Sequence, residues 1–443
     1  MLRGAAKIQA LMCCAADYIE ENGIACTSRL EQTLFDEMNG LCRDLMSAML
    51  SGAAEKHCGY EPAEGERNSG RHGKRIVTLF GETPEIMRTS YYDPRKKRGH
   101  FPFDDRLGLV GRYTPAVAQE AARYAVDHPN GGAAAEFSRT HGFRMSADTV
   151  RHLVRSAGRA GARFAGKIMR GREIGAGRDV PLACVMADGT GIPLRKSSLR
   201  GAKGKAGAAK TREVKAGAVF VFSRDSDRGP HRDLGTTTYV ATTDRSEKFG
   251  KLLRSEFDRR FRRAPGTVLY ITDGGRWLHT VHETRFRFAV EILDIFHAVE
   301  HLKPLMLGLG FRENTGEWKR KYGAWGKRIR RGHVEGLLKL LREEYGDRLS
   351  GDALREYNYY RNNASRMRYD EYRANGWFVG SGVIESACKT VIGQRFKLSG
   401  MNWSLKGAKA LLPLRTLHMS ERLEEFFRYE LRKLPQVRCV SCA

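Results

Sequence analysis

Two apolar runs that end in aspartate limit the architectures open to this chain of 443 residues. Leu182-Ala-Cys-Val-Met-Ala-Asp188 is followed by Gly-Thr-Gly, and Val268-Leu-Tyr-Ile-Thr-Asp273 by Gly-Gly. Both are short, bounded by glycine, and read as buried strands. Residues 214–223, 235–243 and 288–294 add three strand candidates. Helices are expected over 246–262, capped by Ser246, and over 276–286. The order β-β-β-α-β-α-β-α, a meander followed by alternation, predicts an α/β fold with a mixed five-stranded sheet covered by helices. An acid at the C-terminal end of such a strand emerges where α/β sheets bind ligands. The glycines behind it let backbone or ligand approach closely.

The rest of the chain reads as helical modules around this core. Residues 1–75 are expected to be a helical N-terminal region and linker. Leu30, Leu34, Met38, Leu41, Leu45 and Met49 mark one face of a helix over 29–50, and the polar stretch 59–75 reads as the linker. Residues 76–112 read as a small β and irregular segment. In 113–165, Thr114-Pro115 opens a helix that Pro129-Asn-Gly-Gly132 breaks. Two further helices follow, the last capped by Ser146. That outline fits a helix-turn-helix, with Arg151 and Arg155 on one face of the final helix, and equally an ordinary helical hairpin. The α/β domain is expected over 178–308 plus 376–420, a helical insertion over 309–375 and a C-terminal tail over 421–443.

Charge narrows the partner. The 77 Lys and Arg against 51 Asp and Glu leave a net +26, which calls for a polyanion. No stretch approaches the roughly 18 apolar residues of a membrane span. Residues 8–16 are too short and too quickly interrupted for a signal peptide. Nine cysteines, too few and scattered for a disulfide scaffold, favour a reducing cytoplasm. The Cys439/Cys442 pair lacks a second CxxC, so a frayed tail is the simpler reading than a zinc site.

A third acid, Glu385, follows Gly380-Ser-Gly-Val-Ile at an expected helix start. Asp188, Asp273 and Glu385 converging in a basic protein could hold two Mg²⁺ or Mn²⁺ ions for phosphodiester chemistry. The bland alternative is that each Asp-Gly is only a turn.

The segment Gly380–Lys389, then Arg395-Phe-Lys-Leu-Ser-Gly-Met-Asn-Trp403 and Gly407-Ala408, resembles the Glu-bearing block of the Mutator-like insertion-sequence transposases. These are DDE enzymes of bacteria with a ribonuclease-H-like core. Asp294-Ile-Phe-His297 is similar to the Asp-or-Cys, two residues, His motif of that family. The resemblance implies a ribonuclease-H-like mixed five-stranded sheet with an all-α insertion, preceded by a helical region with a helix-turn-helix. It implies Asp188, Asp273 and Glu385 as catalytic metal ligands, with two Mg²⁺ or Mn²⁺ ions per site. Asp294 and His297 would support them. The expected partners are double-stranded DNA, as transposon ends and target, and further copies in a homodimer or higher oligomer. The expected location is the bacterial cytoplasm, at the nucleoid. Phosphate contacts are expected from Arg195, Lys196, Arg200, Lys203, Lys205, Lys210 and Arg212, in a Gly/Ala-rich hairpin loop free of acids. Lys389, Arg395, Lys397 and Trp403 are expected to face the same groove. Relatives often carry a cysteine-bearing segment where residues 90–105 here have none. A catalytically inactive, domesticated DNA-binding repressor and a ribonuclease-H-like structure-specific nuclease are the alternative readings.

Two weaker signals remain. His297-Ala-Val-Glu300-His301 matches the H-x-x-E-H pattern of inverted zinc proteases, but it overlaps the Asp294/His297 motif and leaves the basic charge unexplained. Trp318 and Trp325 sit within a basic run, where base stacking and helix packing compete, with packing favoured.

Overall fold

The computed structural model describes residues 27–56, 59–166, 182–200, 203–204, 207–225, 229–261 and 265–434, with scattered positions between 9 and 21. The Cys439/Cys442 pair, Lys205 and most of residues 8–16 lie outside the described residues. The chain divides into two compact units, residues 1–160 with 424–443 and residues 161–423.

The first unit is built on a hairpin. Strand β1 (Arg67–Thr78) pairs antiparallel with β2 (Gly81–Asp93), and β2 with the short β3 (Arg98–His100). Residues 67–75, expected to be linker, are therefore the first part of β1. Their polar composition reflects a strand exposed along that part rather than an irregular one. The expected helix over 29–50 is α1 (Thr27–Glu55). Its Leu50 and Ala54 pack with Ile76, Ile86 and Phe103 in the unit's core, Phe103 coming from α2 (Pro102–Leu107). Three further helices follow: α3 (Pro115–Asp127), α4 (Asn130–His141) and α5 (Ala147–Ala165). Pro115 takes the first helical position, where its missing N–H costs nothing. Gly131 and Gly132, expected to break structure, lie inside α4. Gly142, at φ 70°, ends α4, and Ser146 Oγ accepts the Thr149 N–H at 3.1 Å to cap α5.

The second unit is a mixed α/β unit. Strands β4 (Leu182–Pro193), β7 (Thr211–Asp225), β8 (Gly229–Arg232), β9 (Thr238–Thr242), β10 (Thr267–Thr272) and β11 (Val290–Leu293) form one six-stranded sheet. Its order is β11-β10-β4-β7-β8, with β9 also on β7. The β4–β10 and β10–β11 pairs are parallel; every pair involving β7 is antiparallel. Two two-residue strands, β5 (Lys203–Gly204) and β6 (Gly207–Ala208), pair within the basic loop between β4 and β7. The base of that loop is tied down: the Arg195 N–H donates to the Trp403 carbonyl at 2.8 Å.

Helix α6 (Ser246–Arg260) covers one face of the sheet. Ser246 is its first helical residue, and the cap position belongs to Arg245. Phe249, Leu253 and Phe257 recur every three or four residues and pack onto Val185, Val219 and Tyr270. The helix that follows β10 is α7 (Arg276–Val281), extended by one π turn over His282–Phe286. After β11 come α8 (Ile295–Glu300), α9 (Leu302–Gly308), α10 (Gly316–Arg330), α11 (Val334–Tyr345), α12 (Gly351–Asn363) and α13 (Tyr369–Ala374). Trp318 and Trp325 are buried here, so both pack helices and neither offers a face to a base. The chain returns to the sheet in α14 (Gly382–Ala387), then a π turn over Cys388–Gly393, and covers β9 with α15 (Leu405–Met419). Buried Glu256 on α6 accepts from Arg259 and, at 3.2 Å, from Arg422 beyond α15. Helix α16 (Leu423–Leu431) then leads back into the first unit, where Glu424 pairs with Arg123 at 2.7 Å.

Gly217 on β7 marks how close α6 lies. A Cβ there would stand 2.6 Å from Leu253 Cδ1 and 3.2 Å from Val240 Cγ2. Gly217→Ala is expected to destabilise the protein by about 1–3 kcal/mol through overpacking, read as a lower thermal midpoint. An unchanged midpoint would show that this face is loosely packed.

Candidate active site

Register places the acids. In the β4–β10 ladder Ile271 faces Met186, so the next two positions bring Asp273 level with Asp188. In the β10–β11 ladder Thr272 faces Leu293, which brings Asp294 level with both. Adjacent strands lie about 4.8 Å apart, so three aspartates form a row across the C-terminal ends of β10 and β11. Asp188 differs from expectation in one respect: β4 does not end there. It continues to Pro193 against β7, and only its parallel pairing with β10 stops.

The three members of the row have different surroundings. Asp188 is half-buried; its Oδ1 accepts the Gly189 N–H at 2.6 Å, and its Oδ2 takes the Cys388 thiol at 3.6 Å. Burial raises its pKa above the usual carboxylate range, and the Asp273 charge adds to that; the His297 ring pulls the other way. Asp273 accepts the Gly275 N–H at 2.8 Å. Gly274 between them has φ 84°, and a Cβ on it would meet Leu293 Cδ1 at 2.4 Å, so only glycine fits this turn.

Asp294 is fully buried and turned inward. Its Oδ1 accepts the His297 N–H at 2.7 Å, capping α8, and its Oδ2 accepts the Ser381 N–H. The Ile295 N–H donates to the Val379 carbonyl at 3.0 Å. Asp294 thereby fixes the entry to α14. Ser381 in turn donates through Oγ to Glu385 Oε1 at 3.2 Å. Glu385 itself is exposed. Cys388, three residues on and so on the same helical face, touches Asp188. These two ties hold the segment on either side of Glu385 against Asp294 and Asp188.

Among the described residues these acids do not close into a ligand cage. The one cluster of three donors with all ligand atoms within 4.8 Å is His279, His282 and Glu283, elsewhere on the sheet.

Two side chains not foreseen from the sequence belong to this site. Burial and the Asp188 charge push the Cys388 thiol up to about 12, so it acts as a hydrogen-bond donor. The Tyr359 hydroxyl is buried without a partner and lies 3.4 Å from where a Cβ on Gly274 would stand. Burial raises its pKa, as does the charge of Asp273. The i+3 spacing from Glu385 could have flagged Cys388. Tyr359 comes from the helical insertion, and no local pattern points to it.

The expected DNA-contacting residues divide. Arg195, Lys196, Arg200, Lys210, Arg212, Lys389 and Lys397 are exposed. Lys397 donates to Thr190 Oγ1 at 2.6 Å, beside Asp188. Lys203 lies in β5. Arg151 is half-buried and paired with Asp148 at 2.7 Å, and Arg155 is half-buried too. Arg395 is buried and Trp403 half-buried. Arg395 is 1% exposed with its guanidinium 5.0 Å from the Trp403 ring, and the Trp403 Nε1–H donates to the Phe396 carbonyl at 3.1 Å. Arg395 comes just after the π turn that continues α14, whereas Trp403 lies beyond the irregular stretch 397–402. The H-x-x-E-H pattern also separates. His297 faces Glu300, whereas His301 bonds Glu356 at 2.6 Å and stacks on Tyr359.

The raised pKa of Asp188 has a stability consequence. The folded protein holds this proton to higher pH than the unfolded chain does, so stability falls as pH rises from the ordinary aspartate value of 3.8 through the folded value. Asp188→Asn removes that loss. Without divalent cation, the variant is expected to melt about 2–4 °C above the parent at pH 7, with the gap narrowing toward pH 4. A pH-independent gap would remove charge burial as its cause.

Comparison with known proteins gives a family and little else. No curated protein matches. Among solved structures, one match is the Drosophila P element transposase strand transfer complex, at 8% identity over 71% of this chain and 80% of that chain. Its TM-score of 0.24 is too low to carry an argument. A family model matches residues 20–424, nearly the whole chain, and by that match this protein belongs to the Uncharacterised protein family (UPF0236).

Proposed function

We propose that this chain is a DNA transposase with a ribonuclease-H-like DDE catalytic unit, acting on the ends of its own mobile element as a homodimer or higher oligomer. The observation that carries the reading is the shared register of Asp188 and Asp273 on adjacent parallel strands, with Glu385 tied to the same edge through Asp294, Ser381 and Cys388. The strand order, with one antiparallel meander joined to two parallel strands, supports the same fold.

The donor set fits hard divalent cations. All three acids offer oxygen ligands, and the Asp188–Asp273 repulsion is a charge excess that a cation offsets. Asp188, Asp273 and Glu385 would hold two Mg²⁺ or Mn²⁺ ions, which when bound lower the pKa of an attacking water or 3′-OH and stabilise the leaving oxygen. The residues around them bind and orient. Exposed Arg195, Lys196, Arg200, Lys210 and Arg212 offer phosphate contacts next to the acidic edge. Asp294 positions the Glu385 segment, and His297 acts to lower the Asp188 pKa. The α4–turn–α5 pair is the proposed end-reading module.

Cleavage of labelled DNA carrying the sequences that flank the gene, with Mg²⁺ or Mn²⁺, tests this. Asp188→Asn, Asp273→Asn and Glu385→Gln should each lose cleavage and strand transfer to background. DNA binding should be kept or strengthened, because each change removes negative charge from a phosphate-facing edge. Binding without cleavage by the parent would favour a silent repressor, and cleavage of junctions or hybrids in preference to ends a nuclease. Arg195→Ala, Lys196→Ala and Arg200→Ala should each reduce the slope of log affinity against log salt by about 0.9 if each meets one phosphate. An unchanged slope would move the DNA off this loop.

A further inference from the structure

A second donor cluster lies on the same sheet, apart from the acidic row. Glu291 is on β11, three residues before Asp294, so it stands about 10 Å down the strand from that row. Facing it are His279 on α7 and His282 and Glu283 at the start of the π turn. His279 Nδ1 is 2.9 Å from Glu291 Oε2. His282 Nδ1 is 3.5 Å from Glu291 Oε2 and 3.4 Å from Glu283 Oε1.

His282 is the informative member. Only 9% of its side chain is exposed. Its Nε2 is 3.0 Å from the Ala289 carbonyl, an acceptor only, so Nε2 carries the hydrogen. In the neutral ring the lone pair then sits on Nδ1, which is buried and without a hydrogen-bond partner. It points at two carboxylates that can only accept. A lone pair buried against two anions is unfavourable unless a cation, either a proton on Nδ1 or a metal ion, stands between them.

The spacing suits a metal ion. Zinc bonds of 2.0–2.1 Å in a tetrahedron set the ligand atoms about 3.3 Å apart. The His279–Glu291, His282–Glu283 and His282–Glu291 separations of 2.9, 3.4 and 3.5 Å bracket that value, and ligand atoms of His279, His282 and Glu283 lie within 4.8 Å of one another. Two imidazoles and two carboxylates suit a borderline-soft ion better than magnesium. The ion's environment is also arranged. Arg366 donates to Glu291 Oε1 at 2.8 Å, and Oε2 is the oxygen nearer His279, at 2.9 Å against 3.1 Å for Oε1. Arg366 Nη1 also lies 3.5 Å from His279 Nδ1, a weak contact that a rotation of the exposed ring would release. Nearly half of the His279 side chain is exposed, which gives an entry path.

We infer that His279, His282, Glu283 and Glu291 form a zinc site that staples the segment after Asp273 to β11. Through Arg366, at the end of the 3₁₀ turn Ala364–Arg366, the same site is tied to the helical insertion. The ion is structural: it holds the turn that carries Asp273 and leaves no open position aimed at the acidic row.

The test uses full-length protein carrying Asp188→Asn and Asp273→Asn, so that the acidic row cannot account for metal uptake. After chelator treatment, zinc is titrated by calorimetry and cobalt by visible absorption, where a tetrahedral site gives an intense band. The expected result is one equivalent of zinc, a raised thermal midpoint and a tetrahedral cobalt spectrum. Adding His279→Ala, at an exposed position that should not disturb folding, or Glu283→Gln should remove the equivalent and the band. Arg366→Met should weaken affinity about 10–100-fold while keeping the band. No uptake by the parent, or equal uptake after His279→Ala, would overturn the site and leave the cluster as an ion-pair network.

Discussion

The parallel ladders β4–β10 and β10–β11 fix more of this protein than any side-chain contact does. Backbone hydrogen bonding leaves no freedom in which residues come level, and a slip of one position would turn every side chain of a strand to the other face. Met186 facing Ile271, and Leu293 facing Thr272, therefore determine that Asp188, Asp273 and Asp294 share one row. The packing of α6 through Phe249, Leu253 and Phe257 reinforces that register.

Equal position does not give equal chemistry. Asp294 is sealed off and spends both oxygens on backbone N–H groups, so it acts as a bracket between β11 and α14. Asp188 keeps an exposed share, a thiol partner and the repulsion of Asp273. Two strands apart, an anion satisfied by hydrogen bonds stabilises the fold while an anion short of them waits for a counter-ion. The proposed zinc staple follows the same logic with imidazoles, 10 Å or so away.

Much of this was legible because strands announce themselves by short apolar runs. All five strand candidates are present, although β8 makes the sheet six-stranded rather than five-stranded as expected, and Asp188 and Asp273 lie level as their positions relative to the apolar runs suggest. What local pattern could not carry was direction. Arg395 follows Glu385 closely in sequence, yet it comes after a π turn and is buried, and no composition signal marks a π turn. Tyr359 reaches the Asp273 turn from a helix 86 positions later, which only tertiary packing decides. The strand in 67–75 was hidden because an exposed strand need not be apolar. Lys203 and its neighbours were read as loop, and a two-residue pairing is too short to leave a pattern.

The π turn over Cys388–Gly393 also says something about chain length. Such a turn is an α-helix holding one residue more than its hydrogen bonding needs. Each helical residue turns the chain by about 100°. Deleting a single residue within this turn would therefore leave Glu385 where it stands but swing everything after it by more than a quarter turn. Arg395 would come out of the interior, and the Trp403 strand contact at Leu194 would lose its partner. Spacing within this short segment is thus held as tightly as residue identity, and alignments that place a gap there should be read as a change of architecture.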